Sequence, residues 1–348
     1  MKMEGDILSM LIGIISDAHL FNRYAITAEE YKNTINKMFD KLGVDFVVDC
    51  GDITDKSTIT APQLDAFGQI FRDLKKPVYI VAGNHDSLSN TSVAAILKLN
   101  PNVKVITTPT LIGDNLLFVP YTDENTRNLY KKLEFLTEDK DTSSIFMFSH
   151  LNITNLYYST IPFDKLSNMF KYANVIFNGH IHINQQHEDI YGTFYNVGSC
   201  SSITFGDEHT PNYCVFNTDT LELHTYDIKG SIIHRTFLVT KDNIDVLLND
   251  ISNLSVNFRV RCRFKVPNSP ESVELKKKIK DYFSDNENVI SIVFDYVKDD
   301  AYQKELKKKQ EKDNKLSKVP LIQQLFEHFE QDTGIKLDDE IKKGLAND

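Results

Sequence analysis

Short apolar runs that stop abruptly on polar residues set the rhythm of the first hundred residues. Met10–Ile15 is apolar throughout apart from one glycine and halts at Ser16-Asp17-Ala18-His19. Asp45–Val48 runs on to Gly51-Asp52, and Pro77–Ala82 halts at Gly83-Asn84-His85-Asp86. Apolar runs of this length, bounded by turn residues, read as buried strands. Between them, 27–42 and 61–74 carry apolar positions at helical spacing. Thr27 with Glu30 suits a capping box, and Pro62 suits a first helical turn. Strand and helix in alternation predict βαβ units and a parallel sheet. Ligands of such sheets sit beyond the carboxyl ends of the strands. Asp17, His19, Asp52, Asn84 and His85 all fall at such ends.

The middle of the chain reads differently. Short strands at 103–107, 110–112 and 116–119 surround Pro109 and Gly113-Asp114 and predict a second, more antiparallel sheet. Ser144–Phe148 is a buried strand ending in Ser149-His150, and Asn174–Phe177 ends in Asn178-Gly179-His180-Ile181-His182. Residues 193–239 read as hairpins. Beyond 240, a strand at 258–266 places Arg259, Arg261 and Arg263 on one face, followed by a helix at 270–284 and a strand at 289–294. That predicts a small α+β unit. Residues 302–318 are rich in Lys and Glu, and Leu321, Leu325, Phe326 and Phe329 then share one helical stripe. A second short helix is predicted at 338–345.

Composition is that of an ordinary soluble chain. A chain of 348 residues with 41% hydrophobic and 25% charged residues is a soluble globular protein with room for more than one domain. A formal charge of −10 argues mildly against a nucleic-acid partner, yet it averages over the basic stretch near the C-terminus. Cys50, Cys200, Cys214 and Cys262 are scattered, which fits a reducing, cytoplasmic location better than a disulfide framework. The apolar stretch Leu8–Ile15 is too short to span a membrane and is read as the first core strand.

The histidines are distributed far from evenly. Five of the ten histidines stand at ends of predicted strands: His19, His85, His150, His180 and His182. One histidine there is usually structural. Five, with Asp17, Asp52 and Asn84, form a mixed imidazole, carboxylate and amide set that suits Mn, Fe or Zn better than calcium. The remaining histidines, His187, His209, His224, His234 and His328, are read as structural or exposed. Asp49 closes an apolar strand and is read either as a partner of a ligand histidine or as a solvent-facing edge residue.

The ordered blocks Asp17-x-His19, Gly51-Asp52, Gly83-Asn84-His85-Asp86, His150 and Gly179-His180-x-His182 resemble those of calcineurin-like metallophosphoesterases. The resemblance covers roughly residues 10–205. It implies an α+β / α/β fold, a four-layer sandwich of two mixed β-sheets flanked by helices. It also implies two divalent ions, Mn foremost, with Mg, Fe or Zn as alternatives. Asp17, His19 and His182 would hold one ion; Asn84, His150 and His180 would hold the other; Asp52 would bridge them. His85 would protonate the leaving oxygen, oriented by Asp86, after a metal-activated hydroxide attacks phosphorus in line.

Further tracts narrow the resemblance. Residues 76–130 and Tyr195–Glu208 are similar to SbcD-type nucleases, and within them to the recombination endonuclease subunits of T-even-type phages. Asp55 stands where many such nucleases have histidine. The class implies exonuclease action on duplex ends, endonuclease action on single strands, a homodimer, and an SbcC-like coiled-coil ATPase as partner in recombination, repair or replication. By position, residues 1–240 would be the nuclease domain, 241–298 a small capping domain that binds DNA, and 299–348 a charged linker with helices docking the ATPase. Arg23, Arg259, Arg261 and Arg263 become candidate DNA contacts, and Leu321, Leu325, Phe326 and Phe329 candidate partner contacts. A solvated strand face would give the same arginine pattern. The alternative activity is a stand-alone phosphoprotein or cyclic-nucleotide phosphoesterase, and a scaffold that has lost catalysis is disfavoured by the complete ligand set.

Overall fold

Alternating apolar positions lead the chain in and out of two sheets. The structure, a computed structural model, describes residues 9–56, 58–86, 100–122, 126–154 and 161–297. Its first part runs β1 (Leu11–Ile15), α1 (Ala28–Lys41), β2 (Phe46–Asp49), α2 (Ala61–Phe71), β3 (Val78–Val81) and β4 (Val103–Ile106). Then come β5 (Thr110–Ile112), β6 (Leu116–Val119), α3 (Thr126–Thr137), β7 (Phe146–Ser149), the two-residue strands β8 (Ile153–Thr154) and β9 (Ile161–Pro162), and β10 (Val175–Asn178). They are followed by β11 (Gln185–Asp189), β12 (Gly192–Asn196), β13 (Asn212–Asn217) and β14 (Leu223–Asp227). The last elements are β15 (Ile232–Leu238), α4 (Ile244–Ser255), β16 (Arg259–Pro267), α5 (Glu271–Tyr282) and β17 (Val289–Val297).

One six-stranded sheet has the order β14-β13-β1-β2-β3-β4, and the other the order β11-β12-β10-β7-β6-β5. In the first, β1 to β4 are parallel, β13 is antiparallel to β1, and β14 is antiparallel to β13. The second sheet departs from the antiparallel expectation. β6, β7, β10 and β12 are parallel, and only the edge strands β5 and β11 run the other way. Parallel neighbours need crossover connections. They are supplied by α3 and by a 3-10 helix at Phe163–Lys171, neither of which the sequence pattern had assigned.

Side chains of period two explain the layering. Ile12 and Ile14 of β1 point between the sheets, with Val48, Val81, Phe118, Phe148 and Phe177. Ile15 points the other way, with Val47 and Ile80, onto Tyr31 and Ile35 of α1 and Phe67 and Phe71 of α2. Met147 and Ile176 leave the far face of the second sheet and join Leu129 and Leu133 of α3. The order helix, sheet, sheet, helix is therefore the expected four-layer sandwich. Across its middle runs an aromatic ladder: Phe118, Phe148, Phe177 and Tyr195 stack in register at 5.3–5.4 Å between centroids, with Tyr79 of β3 against one end at 5.1 Å. α1 opens on the predicted capping box, in which Thr27 Oγ1 accepts from Glu30 N at 3.1 Å and Glu30 Oε2 accepts from Thr27 N at 2.8 Å. All four cysteines are buried and unpaired.

Strands β15, β16 and β17 form a three-stranded sheet in that order. The chain divides into two compact units that interleave in sequence. One holds residues up to 236 with 249–263 and 285–292; the other holds 237–248, 264–284 and the residues from 293. In the second unit Phe264 stacks between Phe237 and Phe294, Leu275 and Ile279 of α5 are buried, and Lys278 pairs with Asp245 at 2.7 Å. No helix among the described residues is long and apolar enough to cross a membrane. The expected partner-binding residues Leu321, Leu325, Phe326 and Phe329 lie outside the described residues, as does the whole of 299–348.

Candidate metal centre

The carboxyl ends of parallel strands from both sheets open on one edge of the sandwich, and each delivers polar residues there. β1 leads to Asp17 and His19, β2 to Asp52, β3 to Asn84 and His85, β7 to His150, and β10 to His180 and His182. The chain turns sharply to do this. Asp17, His19, Asp52 and His180 have φ of 52°, 45°, 53° and 70°, the left-handed region that non-glycine residues seldom enter. Each such residue costs on the order of 1–3 kcal/mol, and such strain collects at functional sites. Backbone bonds lock the turns together: Asp17 N donates to Gly51 O and His19 N to Asp52 O, both at 2.9 Å. A side chain at Gly83 would collide with the backbone and carboxylate of Asp52, so only glycine lets these two loops touch.

Two donor clusters result, Asp17 with His19 and His182, and Asp52 with His150 and His180; within each, the ligand atoms lie within 4.8 Å of one another. In the first, Nε2 of His19 and Nε2 of His182 face each other at 3.3 Å, and Asp17 Oδ1 is 3.6 Å from His182 Nε2. In the second, His150 Nε2 is 3.3 Å from Asp52 Oδ2 and 3.2 Å from Asn84 Oδ1, and His180 Nδ1 is 3.0 Å from the same Asn84 oxygen. Asn84 thus joins the second cluster through its neutral oxygen. Asp17 Oδ1 is buried and has no hydrogen-bond partner. An orphaned carboxylate oxygen facing two imidazole nitrogens fits a divalent cation, because a buried acceptor without a partner is otherwise costly.

Outer contacts aim these ligands. His150 Nδ1 donates to Cys50 O at 2.7 Å, leaving Nε2 for the centre. His182 Nδ1 faces Asp207 Oδ1 at 2.9 Å. Ser16 Oγ donates to Asp17 Oδ2 at 2.5 Å, and His180 N donates to the same oxygen at 3.1 Å. Asn178 crosses between loops, with Oδ1 accepting from Leu151 N at 2.9 Å and Nδ2 donating to Leu151 O at 3.0 Å. Burial lowers the His150 pKa, but the Asp52 carboxylate outweighs it and raises the ring to about 9. Burial and the neighbouring His150 charge push His180 down to about 4. Burial opposes the ionisation of Asp52, yet its histidine partners and the His85 N–H hold it below the usual carboxylate range. The second cluster therefore favours an ionised Asp52 and a neutral His180.

His85 is exposed beside this centre, its ring 5.2 Å from that of His19. Its backbone N donates to Asp52 Oδ1 at 2.7 Å. The expected contact between Asp86 and the His85 ring is absent from the geometry. Asp86 instead accepts three backbone N–H groups, from Gly83 at 2.6 Å, Asp52 at 3.1 Å and Thr54 at 3.1 Å, and so closes the turn. The His85 ring meets the carbonyl of Asp55 through Nδ1 at 3.2 Å. Asp49 is also not a partner of a ligand histidine and does not face solvent. It is fully buried, accepts from Tyr31 Oη at 2.5 Å and from Gly51 N at 2.8 Å, and ties α1 to the metal loop.

The candidate DNA-binding arginines separate. Val260, Cys262 and Phe264 are buried, whereas Arg259, Arg261 and Arg263 lie on the half-exposed face of β16. Arg259 is taken up within the protein, pairing with Glu30 at 3.0 Å and donating to Gly230 O at 2.7 Å, so a free phosphate contact there is not expected. Arg261 lies over Tyr24 at 3.5 Å, as does exposed Arg23 at 4.3 Å, and Arg263 lies over Phe205 at 4.3 Å. The sequence reading missed Asp207, Phe205 and Tyr24. For Asp207 the available signal was its place in the tract 195–208.

A family model agrees with this architecture. The family model of calcineurin-like phosphoesterases matches residues 10–184. A probable metallophosphoesterase of Methanocaldococcus jannaschii is 37% identical over 92 residues, which cover 26% of this chain and 39% of that protein. The chain thus spans about two fifths of the length of this curated relative. Among solved structures, an archaeal phosphodiesterase aligns with 63% of this chain and 99% of its own, at 16% identity and a TM-score of 0.38. A 5'-nucleotidase of Staphylococcus aureus aligns with 70% of this chain and 58% of its own, at 14% identity and a TM-score of 0.41.

Proposed function

The chain belongs to the calcineurin-like phosphoesterase family, and from that premise we propose that it is a metal-dependent DNA nuclease. In this reading it is the catalytic subunit of an SbcCD-like, ATP-dependent complex in recombination, repair or replication. The observation that carries the hydrolytic part is the pair of donor clusters, Asp17-His19-His182 and Asp52-His150-His180, with Asn84 completing the second. Two divalent ions held there would supply an acidified water and offset charge on the phosphate oxygens. Asp17, His19 and His182 would hold one, and Asn84, His150 and His180 the other. Asp52, which faces His150 through Oδ2 and accepts from the His85 N–H through Oδ1, would be shared between them, as the family resemblance implies. His85, exposed beside His19, would give a proton to the leaving oxygen. Its backbone bond to Asp52 sets its distance from the centre, and Asp55 O holds its ring.

The nuclease part is supported by the SbcD-like tracts and by Arg23, Arg261, Tyr24 and Phe205, which offer cations and aromatic faces of the kind that meet phosphates and bases. A homodimer and an SbcC-like ATPase docked on 299–348 complete the proposal. The test incubates the full chain with Mn and end-labelled duplex DNA, single-stranded DNA, a cyclic nucleotide and a phosphopeptide. It is run with and without the ATPase, and on a chain ending at 298. Expected are loss of nucleotides from duplex ends, internal cuts in single strands, and ATP stimulation that the shortened chain lacks. Hydrolysis of the cyclic nucleotide or phosphopeptide with intact DNA would assign a stand-alone phosphoesterase instead.

A further inference from the structure

One hydrogen-bond chain runs from the arginine face of β16 into the first donor cluster. Arg261 Nη1 lies 2.7 Å from His234 Nε2. A guanidinium only donates, so Nε2 must accept and the His234 proton must sit on Nδ1. Nδ1 lies 3.1 Å from Ser202 Oγ and donates to it. The Ser202 hydroxyl then donates to the backbone carbonyl of Asp207 at 2.8 Å. The carboxylate of Asp207 has its own two duties. Oδ2 accepts from Thr204 N at 2.9 Å, Thr204 Oγ1 at 3.1 Å and Ile203 N at 3.2 Å. Oδ1 is left to accept from His182 Nδ1 at 2.9 Å. That bond fixes the proton on Nδ1 and turns the lone pair of Nε2 toward His19 and Asp17. Along this chain every link has only one possible direction.

We propose that Asp207 is a positioning residue for the metal-binding imidazole of His182, and that the chain Arg261–His234–Ser202 holds the Asp207 loop in place. The proposal rests on the two-metal reading above. An imidazole that binds a metal through one nitrogen is aimed by what the other nitrogen meets, and a carboxylate there also makes the ring a better donor. The three bonds to Oδ2 prevent Asp207 from swinging away. Phe205, on the same loop, lies 5.1 Å from the guanidinium of Arg261 and 4.3 Å from that of Arg263, a second tie between β16 and the loop. Arg261 is thereby assigned a task inside the protein, whatever it meets outside. Sequence distance hid the arrangement, since β16 and His182 are joined only through the folded loop.

The test is Mn titration of the full chain by calorimetry, without substrate, with thermal midpoints as a check on folding. The wild-type chain should show two sites. Asp207→Asn should weaken one of them by about 10–100-fold and leave the other as it was. Ser202→Ala and Arg261→Met should weaken the same site by less. Ser202→Ala carries the test alone if Asp207→Asn does not fold, because it removes one hydroxyl only. Two unchanged affinities in folded Asp207→Asn, or in Ser202→Ala when that variant alone folds, would overturn the proposal and reduce Asp207 to a turn residue. Fewer than two sites in the wild-type chain would instead overturn the two-metal reading beneath it.

Discussion

His85 divides its two ends between different tasks, its backbone N–H bound to Asp52 and its ring exposed beside His19. A residue that binds no metal but meets the leaving group should separate metal content from turnover. His85→Ala is therefore expected to keep both ions and lose about 10²–10⁴-fold in rate. Metal analysis and turnover on the same sample check this, and loss of an ion would make His85 a ligand. His234 makes a pH prediction away from the ions. Burial and the Arg261 charge push its pKa down to about 4, from 6.5. Its neutral form is favoured in the fold, so its contribution is complete above about pH 6.5 and is lost as the pH falls toward 4. His234→Phe should flatten the fall in thermal midpoint over that window, and an unchanged slope would contradict the assignment. The ligands themselves were legible, because each ends an apolar strand. The partners of Asp49, Asp86 and Asp207 were not, because they depend on which loops the fold brings together.

At the level of elements, the sheets were legible wherever hydrophobic alternation is uninterrupted, as in β1, β2, β3, β7 and β10. The second sheet was misread because α3 fully buries only Leu129, Leu133 and Thr137 among many polar residues. A crossover helix that weakly marked lets parallel strands pass for hairpins. Packing at the strand ends is also tight. A side chain at Gly179 would collide with Ser16 Oγ, Cys50 O and the His150 ring. Gly179→Ala should cost about 1–3 kcal/mol, as overpacking does, and should weaken ion binding at the second cluster by displacing His150. Thermal unfolding with Mn titration checks both, and a variant equal to the wild-type chain in both would mean that the loops yield freely.

On the scale of the whole molecule, a net charge of −10 coexists with a half-exposed arginine face, so total charge gives little guidance to the partner. The four-layer sandwich brings the carboxyl ends of five parallel strands to one edge, β1, β2 and β3 from one sheet and β7 and β10 from the other. Hydrolysis there requires two ions working together. The direct measurement is ion content and hydrolysis of a simple phosphodiester across a Mn titration, for the wild-type chain and for Asp52→Asn. Two ions per chain are predicted, with activity rising only as the second binds and chelation abolishing it. Asp52→Asn should lose affinity for both. Hydrolysis by a chain that holds one ion or none, or full ion binding in Asp52→Asn, would contradict the account.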